Sequence, residues 1–484
     1  MTFRRLHLFV LLFSWLASTA SAQQSNVTPM SHVNLRGICA VSLANGFDWP
    51  ADAKKIYGIS GGLKTTGQTF PGTIDLAAQR RHGWLLFAGA TQPAGAAAGT
   101  LPIFHTWYTV EEAFDLSSGK VDCSTRRPIL RLSSPTQLLM GVENPIKQSL
   151  AASGFDLAPR FDPNPALAQQ TSGIRSSSVD NALAFSHVAF NQEMYDYIRD
   201  NKYYLKSTLD SLVDNTKIRA PISDPPLRGI SLKFSWWPAS PDQLTPLPVW
   251  DFDPRFPGDA KNPPTTWKRV VAVDVKGGQS APASIKLGGF DHLNPTVVGL
   301  DKFYAVQISA EEANLANADF RLKQAAMDVL NRELKEGDYL LLTAMHIATR
   351  EFDPWVFTTF WWTDKPNVGP LASDMPNEVV GVWRNFVMDV SYNINDPKTS
   401  DGKAPIAYSP WLELFQLGGA RSQCMACHAR AAYGKGVKPS YNPAEMATKD
   451  PNGFEGTPID ATDSAYQPGT VDLHRIWTIL TRSQ

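Results

Sequence analysis

The chain has 484 residues, of which 43% are hydrophobic and 19% charged, so it can bury a large core and is not disordered as a whole. Its formal net charge of −1 excludes the basic excess by which proteins neutralise nucleic-acid phosphates, so no nucleic-acid partner is expected. The 36 Pro and 33 Gly favour turns and ordered loops over a helical bundle.

The first 22 residues have the organisation of a cleaved export signal. Arg4 and Arg5 precede a mostly apolar stretch, and Ala20-Ser21-Ala22 supplies the small residues that a signal peptidase requires. A membrane anchor is the alternative, but the apolar stretch is shorter than the roughly 20 residues that span a bilayer. We therefore predict a signal peptide over 1–22, a periplasmic location and no membrane span in the mature protein.

Residues 23–170 are predicted to be rich in strands and loops. They show no helical periodicity of any length, and Gly and Thr are frequent between 58 and 72. Thr106–Val110 is predicted as a strand and Val110–Ala113 as a helical turn.

Two widely separated cysteines, Cys39 and Cys123, fall in this region. In an oxidising compartment we expect them to form a disulfide, which stabilises mainly by restricting the unfolded chain. Two buried free thiols are the alternative, and either interpretation is structural.

Residues 171–395 are predicted to form an α+β body. A helix is expected around 189–213 with Asn191 as its N-cap, and another over Ala310–Leu334. Apolar and polar residues alternate, or apolar residues run continuously, in five further segments that are predicted as strands. These segments are 229–236, 269–275, 302–308, 338–348 and 355–362, the last two forming a hairpin.

From about residue 396 the chain becomes loop-rich, and it contains Cys424-Met425-Ala426-Cys427-His428. This Cys-x-x-Cys-His spacing is typical of covalent c-type haem attachment. Each thiol adds to one vinyl group on the same edge of the macrocycle, and the next residue turns under the ring as the proximal iron ligand. The motif predicts one covalent haem c with His428 on the iron, and Val471–Arg482 is predicted as a closing helix.

Three other uses of the cysteine pair remain possible. A thioredoxin-like redox pair would follow a βαβ pattern, which the residues before Cys424 do not show. A zinc site would need two further ligands at matched spacing, and the chain has no second Cys-x-x-Cys. A disulfide between Cys424 and Cys427 would be strained.

The predicted fold class is α+β. It consists of a β-rich body of antiparallel, sandwich-like sheets and a C-terminal loop/helix haem segment that borrows a wall from the body. The expected divisions are the signal peptide 1–22, an N-terminal β/loop-rich region 23–170, the α+β body 171–395 and the haem-binding segment 396–484.

The segments from Met345-His346-Ile347 to Asp364, Asn191–Ile198, and Cys424–Ala431 resemble those of large exported bacterial proteins described as cytochrome c family proteins. The resemblance covers about 185–435, and it implies haem binding and export without a particular substrate. The chain departs from the family at Trp361-Trp362-Thr363-Asp364-Lys365, where other members carry Glu-His-x-Asp-Asn, so no role of that histidine carries over.

The ligand on the opposite side of the iron decides what such a haem does. His346 is the first candidate, since it lies on a strongly predicted strand in the stretch that resembles the family. Met446, Met388 and Met345 are the thioether alternatives, and a structural role in the core is the alternative for His346. Arg421 and Arg430 flank the motif and are candidates to pair with the haem propionates, or are solvated surface residues.

Two function classes follow. A strong sixth ligand predicts a periplasmic electron-transfer cytochrome that serves a redox partner protein. An open site predicts a haem-dependent oxidoreductase, of peroxidase or oxygenase type, whose β-rich body binds a small-molecule substrate. A redox or gas sensor is a third class.

Overall fold

A computed structural model describes much of the chain, with gaps. The described residues are 30–31, 37–47, 49–51, 56, 75–95, 99–116, 119–122, 124, 126, 186–251, 267–352, 355–392, 407, 409–412, 424–428, 431–434 and 468–484. The predicted signal peptide lies outside them.

Helices and strands alternate irregularly along these residues. The helices are α1 (Leu76–Thr91), α2 (Val110–Ala113), α3 (Gln192–Asp200), α4 (Lys206–Ser211), α5 (Ala310–Ala318), α6 (Phe320–Leu330), α7 (Cys424–His428) and α8 (Trp477–Arg482). The strands are β1 (Met30–Ser31), β2 (Pro93–Gly95), β3 (Gly99–Pro102), β4 (Tyr108–Thr109), β5 (Ser186–Phe190), β6 (Ala220–Pro221), β7 (Ile230–Ala239), β8 (Thr245–Val249), β9 (Arg269–Asp274), β10 (Ser284–Leu287), β11 (Phe290–Leu293), β12 (Thr296–Gly299), β13 (Ala305–Gln307), β14 (Tyr339–Thr349), β15 (Val356–Trp362), β16 (Phe386–Ser391), β17 (Ala432–Tyr433) and β18 (Val471–Asp472).

The largest sheet is built around β14. Strand β7 pairs with β14 along one edge, and the other edge pairs first with β13 and then with β15. Strands β5 and β4 extend the sheet beyond β7, and β16 extends it beyond β15, all antiparallel. The hairpin of β14 and β15 is as the sequence predicts, because both segments are apolar enough to be buried on both faces.

Along residues 345–348 and the strand that pairs with them, side chains on the two faces of this sheet belong to different hydrophobic clusters. Residues such as Met345, Ile347 and Phe360 belong to one cluster, which contains α1. Their neighbours Ala348 and Phe357, which point to the opposite face, belong to the other, which contains Cys424. Alternation along each strand therefore places Met345 and Ile347 on the face that packs against α1. It places Ala348 on the opposite face, which contacts the Cys424–His428 segment.

Helix α1 packs tightly on the face of the sheet that carries Met345, where Phe87 stacks on Phe360 with ring centres 4.3 Å apart. A Cβ atom at Gly83 would lie only 2.7 Å from Met388 Cε and 3.0 Å from Thr358 Cγ2, so glycine permits this close approach. The helix contradicts the expectation that 23–170 consists of strands and loops. It has no amphipathic pattern because 12 of its 16 residues are buried, around nearly its whole circumference.

Three predicted helices are shorter than the sequence suggests. The helix expected at 189–213 begins after Asn191, whose side chain accepts from Met194 N at 3.1 Å, but it divides into α3 and α4. The segment from 310 to 334 divides at Asp319, which caps the second helix by accepting from Leu322 N. The predicted helix 471–482 is wrong in its first half, where Val471–Asp472 forms β18 and only α8 is helical.

The C-terminal residues cover the second face of the large sheet. Strand β18 pairs with β17 and with β6, and the buried Arg219 guanidinium contacts the Asp472 carboxylate at 2.6 Å. The fold is α+β and rich in β-structure with several antiparallel sheets, as the sequence predicts. No helix in the described ranges is long and apolar enough to span a membrane.

Candidate functional site

The Cys-x-x-Cys-His motif forms the short helix α7 against the large sheet. The Ala407 carbonyl accepts hydrogen bonds from Cys424 N at 3.0 Å and from Cys424 Sγ at 3.2 Å, and so fixes the start of this helix. Cys424 and Met425 are buried in the cluster that the sheet supports. The side chain of Cys427 lies outside the described atoms.

A backbone carbonyl orients the imidazole of His428. Nδ1 of His428 donates to the Arg475 carbonyl oxygen at 2.8 Å, and this places the ring proton on Nδ1. Nε2 makes no hydrogen bond within the described part of the chain. The carbonyl belongs to a turn in which His474 (φ 47°) and Arg475 (φ 69°) both adopt the left-handed conformation, which is costly for residues with a side chain.

His346 of β14 lies opposite His428. The two imidazole rings are 5.9 Å apart between centres, and their planes differ by 15°. His346 is only 7% exposed, and neither of its ring nitrogens has a hydrogen-bond partner among the described residues. Such a side chain is unusual, because buried polar groups are nearly always paired.

Phe357 of β15 lies beside both histidines. Its ring centre is 4.4 Å from that of His428 and 5.6 Å from that of His346. Together with the 5.9 Å between the imidazoles, these distances place the phenyl ring to one side of the line that joins the two histidines. A planar macrocycle could lie between the imidazoles only if Phe357 rotated out of this position.

Both histidines are held in the neutral form. Burial, the nearby His428 and the positive charge of Lys233 lower the pKa of His346 well below its ordinary value. Burial lowers the pKa of His428 to about 4; the hydrogen bond to the Arg475 carbonyl opposes this shift, and Lys233 adds to it. A neutral imidazole is the form that binds a metal ion, so neither residue would have to lose a proton from an imidazolium.

A row of polar side chains crosses the sheet at the level of His346. The strand register pairs Lys233 with His346, His346 with Thr359, and Thr359 with Asp389. Lys233 Nζ donates to the Leu412 carbonyl at 3.3 Å, so the segment 409–412 borders this face. Sequence alone does not reveal the row, because it depends on the pairing register of four strands.

Several buried polar atoms on the same face also have no partner in the described structure. They belong to residues that share the strand face of His346, namely Ser231, Ser235, Trp355, Thr359, Trp361 and Ser391. A buried polar atom left without a hydrogen bond lowers the free energy of unfolding by about 1–3 kcal/mol.

The other sequence candidates are placed as follows. Met345 and Met388 lie on the opposite face of the sheet, in the cluster that contains α1, and so are directed away from His428. Arg421, Arg430 and Met446 lie outside the described residues. Cys39 is disulfide-bonded, whereas Cys123 lies outside the described residues, so the pairing of these two cysteines stays a prediction.

Sequence reasoning missed Phe357, Lys233 and Arg475. Alternation along β15 places Phe357 on the face of Thr359, but only the register with β14 brings it beside His346. The Arg475 carbonyl has no sequence signal, since any residue carries one.

The comparisons identify no relative: no protein-family model, curated protein or solved structure matches the chain. The described residues contain no group of three or more His, Cys, Asp or Glu side chains that could hold a metal ion. A haem does not require such a group, because the porphyrin supplies four ligands and the protein only the axial ones.

Proposed function

We propose that this chain is an exported periplasmic cytochrome with one covalent haem c, and that it functions in electron transfer. Cys424 and Cys427 would hold the haem, and His428 would bind its iron. The bound haem supplies a one-electron iron couple. The proposal rests on the attachment motif together with the structure of the residues around it.

The hydrogen bond of His428 is the observation that carries the proposal. Ligating histidines almost always donate their second ring N–H to a carbonyl or carboxylate, which fixes the tautomer and makes the ligand more basic. The bond from Nδ1 to the Arg475 carbonyl at 2.8 Å has this arrangement, and it leaves Nε2 as the lone-pair nitrogen.

Attachment requires no chemistry beyond thiol addition. Each S–H adds across a vinyl group, so that the sulfur bonds to one vinyl carbon and the hydrogen goes to the other. No atom is lost and no oxidant is consumed. Cys424 carries a thiol, not a disulfide, which is compatible with this reaction.

The chain's other contribution is to exclude water. Trp355, Phe357 and Ala348 are buried on the sheet face that α7 covers. An apolar environment around a haem disfavours its more highly charged state and thereby tunes the reduction potential.

A haem enzyme with an open distal site is the second candidate. The unpartnered side chains of Ser231, Thr359 and Ser391 favour it, because they could hydrogen-bond a small substrate on the sheet face beside His346. In this alternative His346 would not bind the iron.

The test is covalent attachment in cells that export the chain together with a c-type haem maturation system. We expect the haem to remain on the denatured polypeptide in a stained gel and to resist extraction by acid–acetone. Cys424→Ser/Cys427→Ser should abolish this staining, whereas Met425→Leu, which alters a buried residue between the cysteines, should retain it. Absence of covalent haem, in cells that load a known c-type cytochrome, would contradict the proposal.

A further inference from the structure

His346 is a buried imidazole whose two ring nitrogens have no hydrogen-bond partner among the described residues, and its ring centre is 5.9 Å from that of His428, the residue assigned to the iron. We propose that His346 is the sixth iron ligand, so that the haem has two histidine ligands. This inference rests on the proposed function and deepens it.

The separation of the rings suits two ligands on opposite sides of one metal. Imidazole nitrogens bind metal ions at about 2.0–2.1 Å, which puts the ring centres of two opposed ligands about 6 Å apart. The observed 5.9 Å agrees with this distance and exceeds that of two rings in face-to-face contact. His346 and His428 are therefore spaced as a ligand pair.

The positions of these residues in the fold make the pair rigid. His346 lies within β14, which is hydrogen-bonded to β7 and β15 on its two sides. His428 is held by the Arg475 carbonyl. A site built on paired strands keeps its geometry better than one built on loops.

One adjustment is required, and it falls on Phe357. Its ring lies beside the line that joins the histidines, so the haem can reach both ligands only after the phenyl ring rotates away. Phe357 is thus a positioning residue whose side chain contacts one haem face or edge after rotation.

The angle between the imidazole planes predicts the type of electron paramagnetic resonance spectrum. Planes that differ by 15° are nearly parallel. In low-spin ferric haems, nearly parallel axial imidazoles split the two occupied d-orbitals of π symmetry and give a rhombic electron paramagnetic resonance spectrum. Perpendicular imidazoles give a highly anisotropic spectrum with one dominant feature. We expect the rhombic type.

The experiment compares the haem-loaded wild type with His346→Ala and with His292→Ala. His292 of β11 also has a buried ring nitrogen with no partner among the described residues, but it lies in the separate two-stranded sheet of β10 and β11, so it is the matched control. We expect the wild type and His292→Ala to be low-spin and to bind no carbon monoxide at concentrations that saturate His346→Ala. We expect His346→Ala to be high-spin, and added imidazole to restore its low-spin spectrum.

Several outcomes would overturn the assignment. They are a haem-loaded wild type that is high-spin and binds carbon monoxide, and a His346→Ala spectrum identical to that of the wild type. A third is a high-spin wild type that becomes low-spin in Phe357→Ala, which would show that the phenyl ring keeps His346 from the iron. Failure of haem attachment is detected separately on the stained gel and contradicts the proposed function itself.

A measurement on the wild type alone keeps the assignment testable if His346→Ala does not fold. The near-infrared magnetic circular dichroism of ferric haem distinguishes two imidazoles from one imidazole and one thioether by the energy of its charge-transfer band. We expect the band of the imidazole pair. A thioether band would overturn the proposal and point to a methionine.

Discussion

The carbonyl oxygen of Arg475 accepts a hydrogen bond from Nδ1 of His428, a residue 47 positions earlier in the chain, at 2.8 Å. This contact joins α7 to the turn that precedes α8. The turn places two consecutive residues with side chains, His474 and Arg475, in the left-handed region. The fold thus tolerates local backbone strain where the candidate proximal ligand is oriented.

Substitutions of Arg475 test the role of this turn. Arg475→Gly keeps the carbonyl and suits the left-handed conformation, so the free energy of unfolding should change by less than about 1 kcal/mol. Arg475→Pro cannot adopt φ 69° and should lower it by about 3 kcal/mol or more. Urea denaturation of both variants measures the difference. Equal stability of the glycine and proline variants would show that the conformation of the turn is unimportant.

A buried carboxylate with several hydrogen-bond partners on the other side of the sheet anchors α1. Glu351 accepts hydrogen bonds from Ala51 N at 2.7 Å and Thr349 Oγ1 at 2.6 Å, and it contacts His82 Nε2 at 3.0 Å. Glu351→Ala should lower the free energy of unfolding by about 3–5 kcal/mol, because it leaves buried partners unsatisfied. The effect is measured by denaturant titration.

The control for this prediction is an exposed pair that involves Arg81, the neighbour of His82 in α1. Arg81 and Glu378 form an exposed pair at 3.8 Å, with side chains 55% and 44% exposed. Glu378→Ala should change stability by less than about 0.5 kcal/mol. Similar losses from the two substitutions would contradict the importance of burial at Glu351.

Acid should destabilise the protein through His105. Burial, followed by the charge of the nearby His187, lowers the pKa of His105 from 6.5 to about 3 in the folded state. Below pH 6.5 the unfolded chain binds a proton at this residue that the folded chain does not. The free energy of unfolding should therefore fall as the pH decreases from about 6.5 to about 3, by up to about 1.4 kcal/mol per pH unit.

Replacement of His105 isolates this contribution. His105→Gln removes the titrating group, so the variant should lose less stability than the wild type between pH 6.5 and pH 4, whatever its stability at pH 7.5. Denaturant titrations at each pH give the two slopes. Parallel slopes would show that His105 does not titrate differently in the folded and unfolded states.

Much of the large sheet is predictable from local sequence, but the site is not. Alternation and apolar runs identify the segments of β7, β14 and β15, and Asn191 marks the start of α3. Helix α1 escapes prediction because it is buried around its circumference and has no polar face. A sequence pattern reveals a helix through the contrast between its buried face and its exposed face, and α1 has almost no exposed face.

The candidate site joins local signals that are far apart in the chain. Cys-x-x-Cys-His is read directly from the sequence, since its spacing is set by the haem. That His346 faces His428 depends on how α7 packs on the sheet, and that Phe357 lies beside both histidines depends on strand register. Sequence therefore supplies the Cys-x-x-Cys-His motif and names His346 as a candidate, and tertiary structure shows that His346 and His428 lie opposite each other.

The intact mass of the exported protein is the most direct test of the central claim. The proposal predicts a chain that begins at Gln23, with a mass increased by that of one complete haem under denaturing conditions, because thiol addition to vinyl groups loses no atoms. The mass of the bare mature polypeptide, with haem absent or released on denaturation, would contradict it.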